Sequence, residues 1–110
     1  GVVHCPNCRA IARPDVVWFG EVLPEEAWNA AFLAMNRARA VLVVGTSGVV
    51  YPAASLCEMA AEKGGSQKAD LIVINPQPTQ LDRLASVCIR AGAARALPKL
   101  AEAFLAARSS

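Results

Sequence analysis

Three groups of residues in this chain are suited to chemistry. Cys5-Pro6-Asn7-Cys8 has the two-residue spacing that lets both thiolates reach one zinc ion, which is half of a tetrahedral site. Gly45-Thr46-Ser47-Gly48 joins two glycines, which let the backbone turn or approach a ligand closely, to two hydroxyls that donate or accept hydrogen bonds. Asn75 offers an amide able to bond sugar hydroxyls, much as an acidic residue does in dinucleotide sites. The single histidine, His4, adjoins the cysteine pair; it is poorly placed to share its neighbour's metal and is expected in solvent. A thioredoxin-like redox pair needs to sit at a strand end and open a helix, whereas Ile11-Ala12-Arg13-Pro14 follows without helical periodicity. Half a zinc knuckle is the better reading.

Positioning these groups requires strands and helices in alternation. Residues 41–44 are β-branched or apolar without polar alternation, the pattern of a strand covered on both faces. Pro52 then opens a helical pattern through Ala53, Leu56, Cys57, Met59 and Ala60, so residues 45–48 lie between a strand's carboxyl end and a helix. Ligands sit there in open α/β sheets, although the tetrapeptide also serves as a plain turn. Residues 69–74 form a second buried strand ending on Asn75, with Pro76-Gln77-Pro78 as a rigid turn. Residues 79–85 read as a short helix with Thr79 near its cap, 86–90 as a third strand, and 97–108 as a terminal helix starting near Pro98. Upstream, residues 16–19 read as a strand closed by Gly20-Glu21. A helix follows from Pro24 to about Arg39, with Glu25 and Glu26 in its first turn and a core-facing stripe of Trp28, Ala31, Phe32 and Met35. Cys57 and Cys88 are expected as small buried thiols.

This alternation predicts an α/β fold with a parallel sheet and helices on both faces. If the two central strands are neighbours, residues 45–47 and Asn75 emerge on one rim. Gly92-Ala93-Ala94, after the third strand, adds uncluttered backbone where an adenine can lie. Residue pattern alone therefore points to a nucleotide-binding half-domain with no visible catalytic group.

At 110 residues and 55% hydrophobic content the chain can bury a small core. A formal charge of +2 without a basic run, and 5% aromatics, argue against a nucleic-acid surface. No apolar run reaches membrane-span length and the amino end lacks a signal-peptide pattern, so no membrane role and a cytoplasmic location are expected. Gly1 in place of Met and a cysteine pair without its complement suggest a piece of a longer protein.

In order and spacing, Cys5-x-x-Cys8, Arg13-Pro14-Asp15-Val16-Val17-Trp18-Phe19-Gly20-Glu21 with Leu23-Pro24, Gly45-Thr46-Ser47 with Val50, Tyr51 and Pro52, and Ile74-Asn75 resemble the carboxyl-terminal half of a sirtuin of the bacterial class III type. The resemblance runs from about Cys5 to Leu105. It implies an NAD-dependent protein-lysine deacylase that passes the acyl group of acyl-lysine to ADP-ribose and releases nicotinamide. The implied architecture is half of a small zinc-ribbon module and linker over residues 1–15, then the carboxyl-terminal half of a Rossmann-like NAD-binding domain over 16–110. Cys5 and Cys8 then match the second pair of a four-cysteine zinc site. Gly45, Thr46 and Ser47 match the loop at the cofactor's phosphates and ribose, Asn75 the adenosine ribose with Pro76 and Gln77 behind it, and Ala93 the adenine. Val17, Phe19 and Gly20, with Glu21 beside them, match the segment lining the acyl-lysine tunnel. Val50 matches the opposing strand, so that a substrate peptide is held by β-augmentation. The implied partners are an acyl-lysine peptide or protein and the amino-terminal half of the same protein, which in the family carries the catalytic histidine. The 110 residues alone are accordingly expected to be inactive. Two other readings are a non-catalytic nucleotide-binding α/β module with a structural zinc knuckle, and a zinc-ribbon interaction domain; scarce clustered Lys and Arg weaken the latter.

Overall fold

Apolar runs of β-branched residues bounded by turn formers become three short parallel strands, with helices between them. The computed structural model describes residues 1–109. In chain order the elements are α1 (Glu25–Arg37), β1 (Ala40–Val44), α2 (Ala53–Glu62), β2 (Asp70–Ile74), β3 (Val87–Ile89) and α3 (Ala93–Arg108). Two single turns of 3-10 helix, Gly65–Gln67 and Gln80–Leu84, fill the connections. The sheet order is β1-β2-β3, with Val41 opposite Leu71, Val43 opposite Val73, and Val73 opposite Cys88.

The core lies on one face of this sheet. Val41, Val43, Leu71 and Val73 alternate toward it, meeting Ala60 and Ala61 of α2 together with Ala69 and Leu81. Alanine at the contact lets α2 lie close to the strands. Met35 and Cys57 pack at the margin of this cluster. The α1 stripe is only half realised: Trp28, Ala31 and Met35 are half-buried, while Phe32 remains 42% exposed and no residue of α1 is buried. Lys63 holds the end of this helix, its Nζ donating to the carbonyls of Met35 (2.6 Å) and Asn36 (2.5 Å). A cation there offsets the negative end of the helix dipole.

The opposite face departs from the sequence expectation. Leu42 and Val87 are each 50% exposed, and α3 stands over this side with Leu97, Leu100 and Phe104 bordering an apolar cavity of about 480 Å³. The strands are therefore covered on one face and only partly on the other. Total surface is 8304 Å², against about 5,800 Å² for a compact protein of this mass. The radius of gyration, 17.9 Å, likewise exceeds the ~13 Å of a compact domain this long.

Four further local expectations are corrected. Residues 16–19 are not a strand, because no neighbouring segment pairs with them. The last helix starts at Ala93, with Gly92 as its N-cap, so Pro98 lies inside it instead of opening it. Helix-favouring alanines at 93, 94 and 96 carry the turn upstream of the proline. The 80–84 turn is 3-10, and Cys88 is exposed on the edge strand β3.

The 3-10 turn carries a pH-sensitive cap. Thr79 N–H donates to Asp82 Oδ2 (3.1 Å) and Thr79 Oγ1–H to Oδ1 (2.9 Å), while the Arg90 guanidinium pairs with the same carboxylate. Partial desolvation pushes the Asp82 pKa up, but the Thr79 bonds and Arg90 outweigh it and the carboxyl titrates below its ordinary value. A depressed native pKa contributes stability that is complete above the unfolded value and is lost as pH falls through the native one. Denaturant titrations from neutral pH into the acid range are expected to show this loss in the wild type and a shallower one in Asp82→Asn. Equal acid sensitivity in the two proteins would remove Asp82 from the account.

Candidate functional site

Because all three strands are parallel, their carboxyl ends share one edge, and the loops leaving them are tied together there. Gly45 leaves β1 with φ +65°, and its N–H donates to Ile74 O at 3.0 Å. Asn75 leaves β2, its N–H donating to Ile89 O of β3 at 3.1 Å. The Asn75 side chain spans the gap: Nδ2–H donates to Thr46 O (3.0 Å) and Oδ1 accepts from Gln77 N–H (3.1 Å). Residues 45–47 and Asn75–Gln77 thus lie on one rim, as their positions in the sequence imply. Ser47 is exposed there, and among the described residues its hydroxyl has no internal partner. Pro76 and Gln77 are exposed; Ala93 is half-buried at the start of α3, beyond the carboxyl end of β3.

Gly48 closes this loop for two reasons. It has φ +69°, and its N–H donates to Thr46 Oγ1 at 3.3 Å. A Cβ at this position would stand 2.6 Å from both Cγ and Cδ1 of buried Leu81. Beneath the loop lies a mostly apolar cavity of about 160 Å³ bordered by Thr46, Val50, Ala54, Cys57 and Leu81. Burial first, and then the Glu58 charge, push the Cys57 thiol up, so it stays protonated and inert. Glu58 itself accepts from Tyr51 Oη–H and from Arg83, both at 2.9 Å, linking α2 to the segment after the loop and to the 3-10 turn.

A second surface is built by residues 13–21. Trp18 to Glu21 form a type II turn: Glu21 N–H donates to Trp18 O at 3.0 Å and Gly20 supplies φ +87°. Arg13 meets Glu21 through both terminal guanidinium nitrogens, at 2.6 and 3.0 Å, and also donates to Val16 O at 2.7 Å. Glu21 Oε2 accepts from Trp18 N–H at 3.0 Å, and the guanidinium lies 5.8 Å from the Trp18 ring centroid. The Arg13 bond first, then the Trp18 N–H, hold the Glu21 carboxyl below its ordinary pKa, and the same Glu21 contact raises that of Arg13. Val17 is 43% and Phe19 92% exposed, and among the described residues their backbone groups make no internal hydrogen bond. An apolar trough of about 550 Å³, lined by Glu21, Val22, Leu23, Glu25, Trp28 and Pro52, runs from this surface to Pro52 at the start of α2.

The cysteine pair is held in a backbone loop of its own. Cys5 N–H donates to Ala10 O (2.8 Å), Arg9 N–H to Cys5 O (2.9 Å) and Ala12 N–H to Val3 O (2.8 Å), which closes residues 3–12 into a small antiparallel loop. The N–H groups of Cys8 and Asn7, followed by the Cys8 thiol, lower the Cys5 pKa, as suits a thiolate ligand. His4 is exposed and bonds Arg9 O through Nδ1 at 2.9 Å. Cys5 and Cys8 are two of the four donors a tetrahedral zinc site takes, and among the described residues no group of three or more His, Cys, Asp or Glu converges.

Sequence reasoning overlooked Arg13 and the need for glycine at 48. Neither had a local signature. Arg13 acts eight residues away through an irregular segment, and Gly48 answers to Leu81, which is distant in the chain.

Comparison with known proteins adds a family to this geometry. The Sir2 family profile matches residues 1–52. The chain is 47% identical over 96 residues to an NAD-dependent protein deacylase of Mycobacterium tuberculosis strain H37Ra, covering 87% of this chain and 39% of that protein. It is 47% identical over 99 residues to an NAD-dependent protein deacylase of Pyrococcus furiosus, covering 90% and 38% respectively. The chain thus spans about two fifths of the length of the curated relatives it matches. Among solved structures, a mutant Sir2 homologue in complex with ADP-ribose superposes with a TM-score of 0.86 at 35% identity, over 98% of this chain and 42% of that one. Sir2Tm bound to a propionylated peptide superposes with a TM-score of 0.78 at 30% identity, over 94% and 42%. The parallel sheet with flanking helices is that of the Rossmann-like fold in these structures.

Proposed function

Because the chain belongs to the Sir2 family, we propose that it forms the adenosine rim and the peptide groove of an NAD-dependent protein-lysine deacylase. The observation that carries this reading is the Asn75 amide reaching Thr46 O, which gathers two strand tips onto one rim with Ser47 free beside them. On that rim the residue 45–47 loop faces the cofactor's phosphates and ribose, Asn75 with Pro76 and Gln77 the adenosine ribose, and Ala93 the adenine. Support comes from the relatives named NAD-dependent deacylases and from the neighbour solved with ADP-ribose. Bound NAD supplies a cleavable glycosidic bond and the acceptor for the acyl group.

The unpaired backbone of Val17 and Phe19, with Gly20, on one side and Val50 on the other holds an acyl-lysine peptide as an added strand, Glu21 lying beside the first segment and bonded to Arg13 and Trp18 N–H. A neighbour was solved with a propionylated peptide. His4, the single histidine of these 110 residues, adjoins the cysteine pair and bonds Arg9 O, and in this reading the reaction's general base comes from outside them. The amino-terminal half of the same protein then covers the open face of Leu42 and Val87 and completes the zinc site begun by Cys5 and Cys8. Residues 1–15 belong to that zinc module and 16–110 to the NAD-binding domain, in a cytoplasmic enzyme without nucleic-acid or membrane partners.

The test uses the protein expressed from its complete reading frame, incubated with NAD and acetyl-, propionyl- or succinyl-lysine peptides. Nicotinamide is expected to appear in equal amount to deacylated peptide. NAD binding without nicotinamide release would replace this reading with the non-catalytic nucleotide-binding module, and absence of NAD binding would end both.

A further inference from the structure

Phe19 is nearly fully exposed, yet the segment around it has a defined shape, and much of what fixes that shape lies outside the segment. Residues 16–20 contribute no buried side chain and belong to no sheet. Besides the backbone bonds from Glu21 N–H to Trp18 O and from Val16 N–H to Pro14 O, four hydrogen bonds that converge on one ion pair order them: the two guanidinium–carboxylate bonds, Arg13 to Val16 O, and Trp18 N–H to Glu21. A fork-on-fork pair fixes orientation as well as distance, which a single lysine–carboxylate contact does not. Both ends of the segment are thereby fastened: Val16 to Arg13, and Trp18 to Glu21. Between and beside these anchors the backbone groups of Val17 and Phe19 are left without internal partners.

We propose that Arg13 and Glu21 are positioning residues that hold the Val17 and Phe19 backbone as a preformed edge for an extended acyl-lysine peptide, Glu21 acting through the loop and not by touching the peptide. This rests on the deacylase reading above. An edge already held in the bound shape spares the peptide the cost of ordering it, so loss of the clamp weakens peptide binding while leaving the NAD rim intact. The rim depends on Asn75 and Thr46, whose hydrogen bonds among the described residues do not involve Arg13 or Glu21.

The variants are Arg13→Ala, Arg13→Lys, Glu21→Ala and Glu21→Gln in the protein expressed from its complete reading frame. Arg13→Ala and Glu21→Ala are expected to raise the peptide KM about tenfold or more, with kcat at saturating peptide and the NAD Kd within about twofold of wild type. Arg13→Lys and Glu21→Gln are expected to fall between, the first keeping charge without the fork, the second keeping an acceptor for Trp18 N–H. Amide hydrogen exchange reads the clamp without catalysis: exchange at Trp18 and Glu21 should quicken in the alanine variants and not at residues 71–74. An unchanged peptide KM with quickened exchange overturns the positioning role, as does an equal fall in kcat and NAD affinity. Unchanged exchange overturns the clamp. If wild type binds NAD but releases no nicotinamide, the deacylase reading fails instead, and the exchange result still decides whether the clamp orders the segment.

Discussion

Gly48→Ala is expected to destabilise the protein by about 2–4 kcal/mol, the largest effect of any single methyl group on this rim. About 1 kcal/mol or more comes from forcing an L-residue into the left-handed region at φ +69°. A further ~1–3 kcal/mol comes from overpacking, because the new Cβ meets Leu81 at 2.6 Å and Leu81 is held in the core. Gly45→Ala is the internal control. Gly45 also has positive φ, +65°, but a Cβ there meets nothing within 4 Å, so only the backbone cost applies. Chemical denaturation of the two variants should therefore separate them by roughly the packing cost. Equal losses would mean that Leu81 moves aside freely and that the apolar cavity below the loop absorbs it.

Replacing Asn75 with alanine is expected to weaken NAD binding about ten- to a hundredfold, on the assignment of this rim to the cofactor. Two hydrogen bonds, to Thr46 O and from Gln77 N–H, shape the loops at the tips of β1 and β2. At about 1 kcal/mol net each, their loss frees both loops before any direct contact with a sugar is counted. Asn75→Asp distinguishes holding the loop from touching the ligand. A carboxylate bonds ribose hydroxyls well, but it has no N–H for Thr46 O and repels that carbonyl. Affinity as poor in the aspartate variant as in alanine identifies Asn75 chiefly as the tie between loops; affinity near wild type makes it chiefly a ribose contact. Calorimetric titration with NAD and with ADP-ribose gives the answer without reference to turnover.

Both expectations depend on contacts between segments far apart in the chain, which no run of adjacent residues reveals. The strands at 40–44 and 70–74 were legible because a β-branched run bounded by Gly45 or Asn75 is a local pattern. Their shared rim followed from the rule that consecutive strands joined through a helix run parallel. The Thr79 cap was legible for the same reason, since its partner Asp82 is only three residues away. Residues 16–19 carry equally strong β-forming side chains and yet form no strand. Propensity makes a segment ready to pair, but a strand exists only where another backbone supplies the hydrogen bonds. Cys88 shows the same limit from the other side: its pattern is that of a core residue, and its position on an edge strand leaves it exposed.

From α1 onward, the alternation of helices and strands and the loops that leave the strands were set by the amino-acid sequence alone, because each depends on a few adjacent residues and on steric rules that act over one turn. Tertiary structure decided how those residues are used. It made Asn75 a bridge to Thr46, made glycine obligatory at 48 through Leu81, and turned Arg13 and Glu21 into the support of an unpaired edge. It also left one face of the sheet partly open. Each outcome depends on which distant atoms arrive within a few ångströms, and no local pattern of residues encodes that distance.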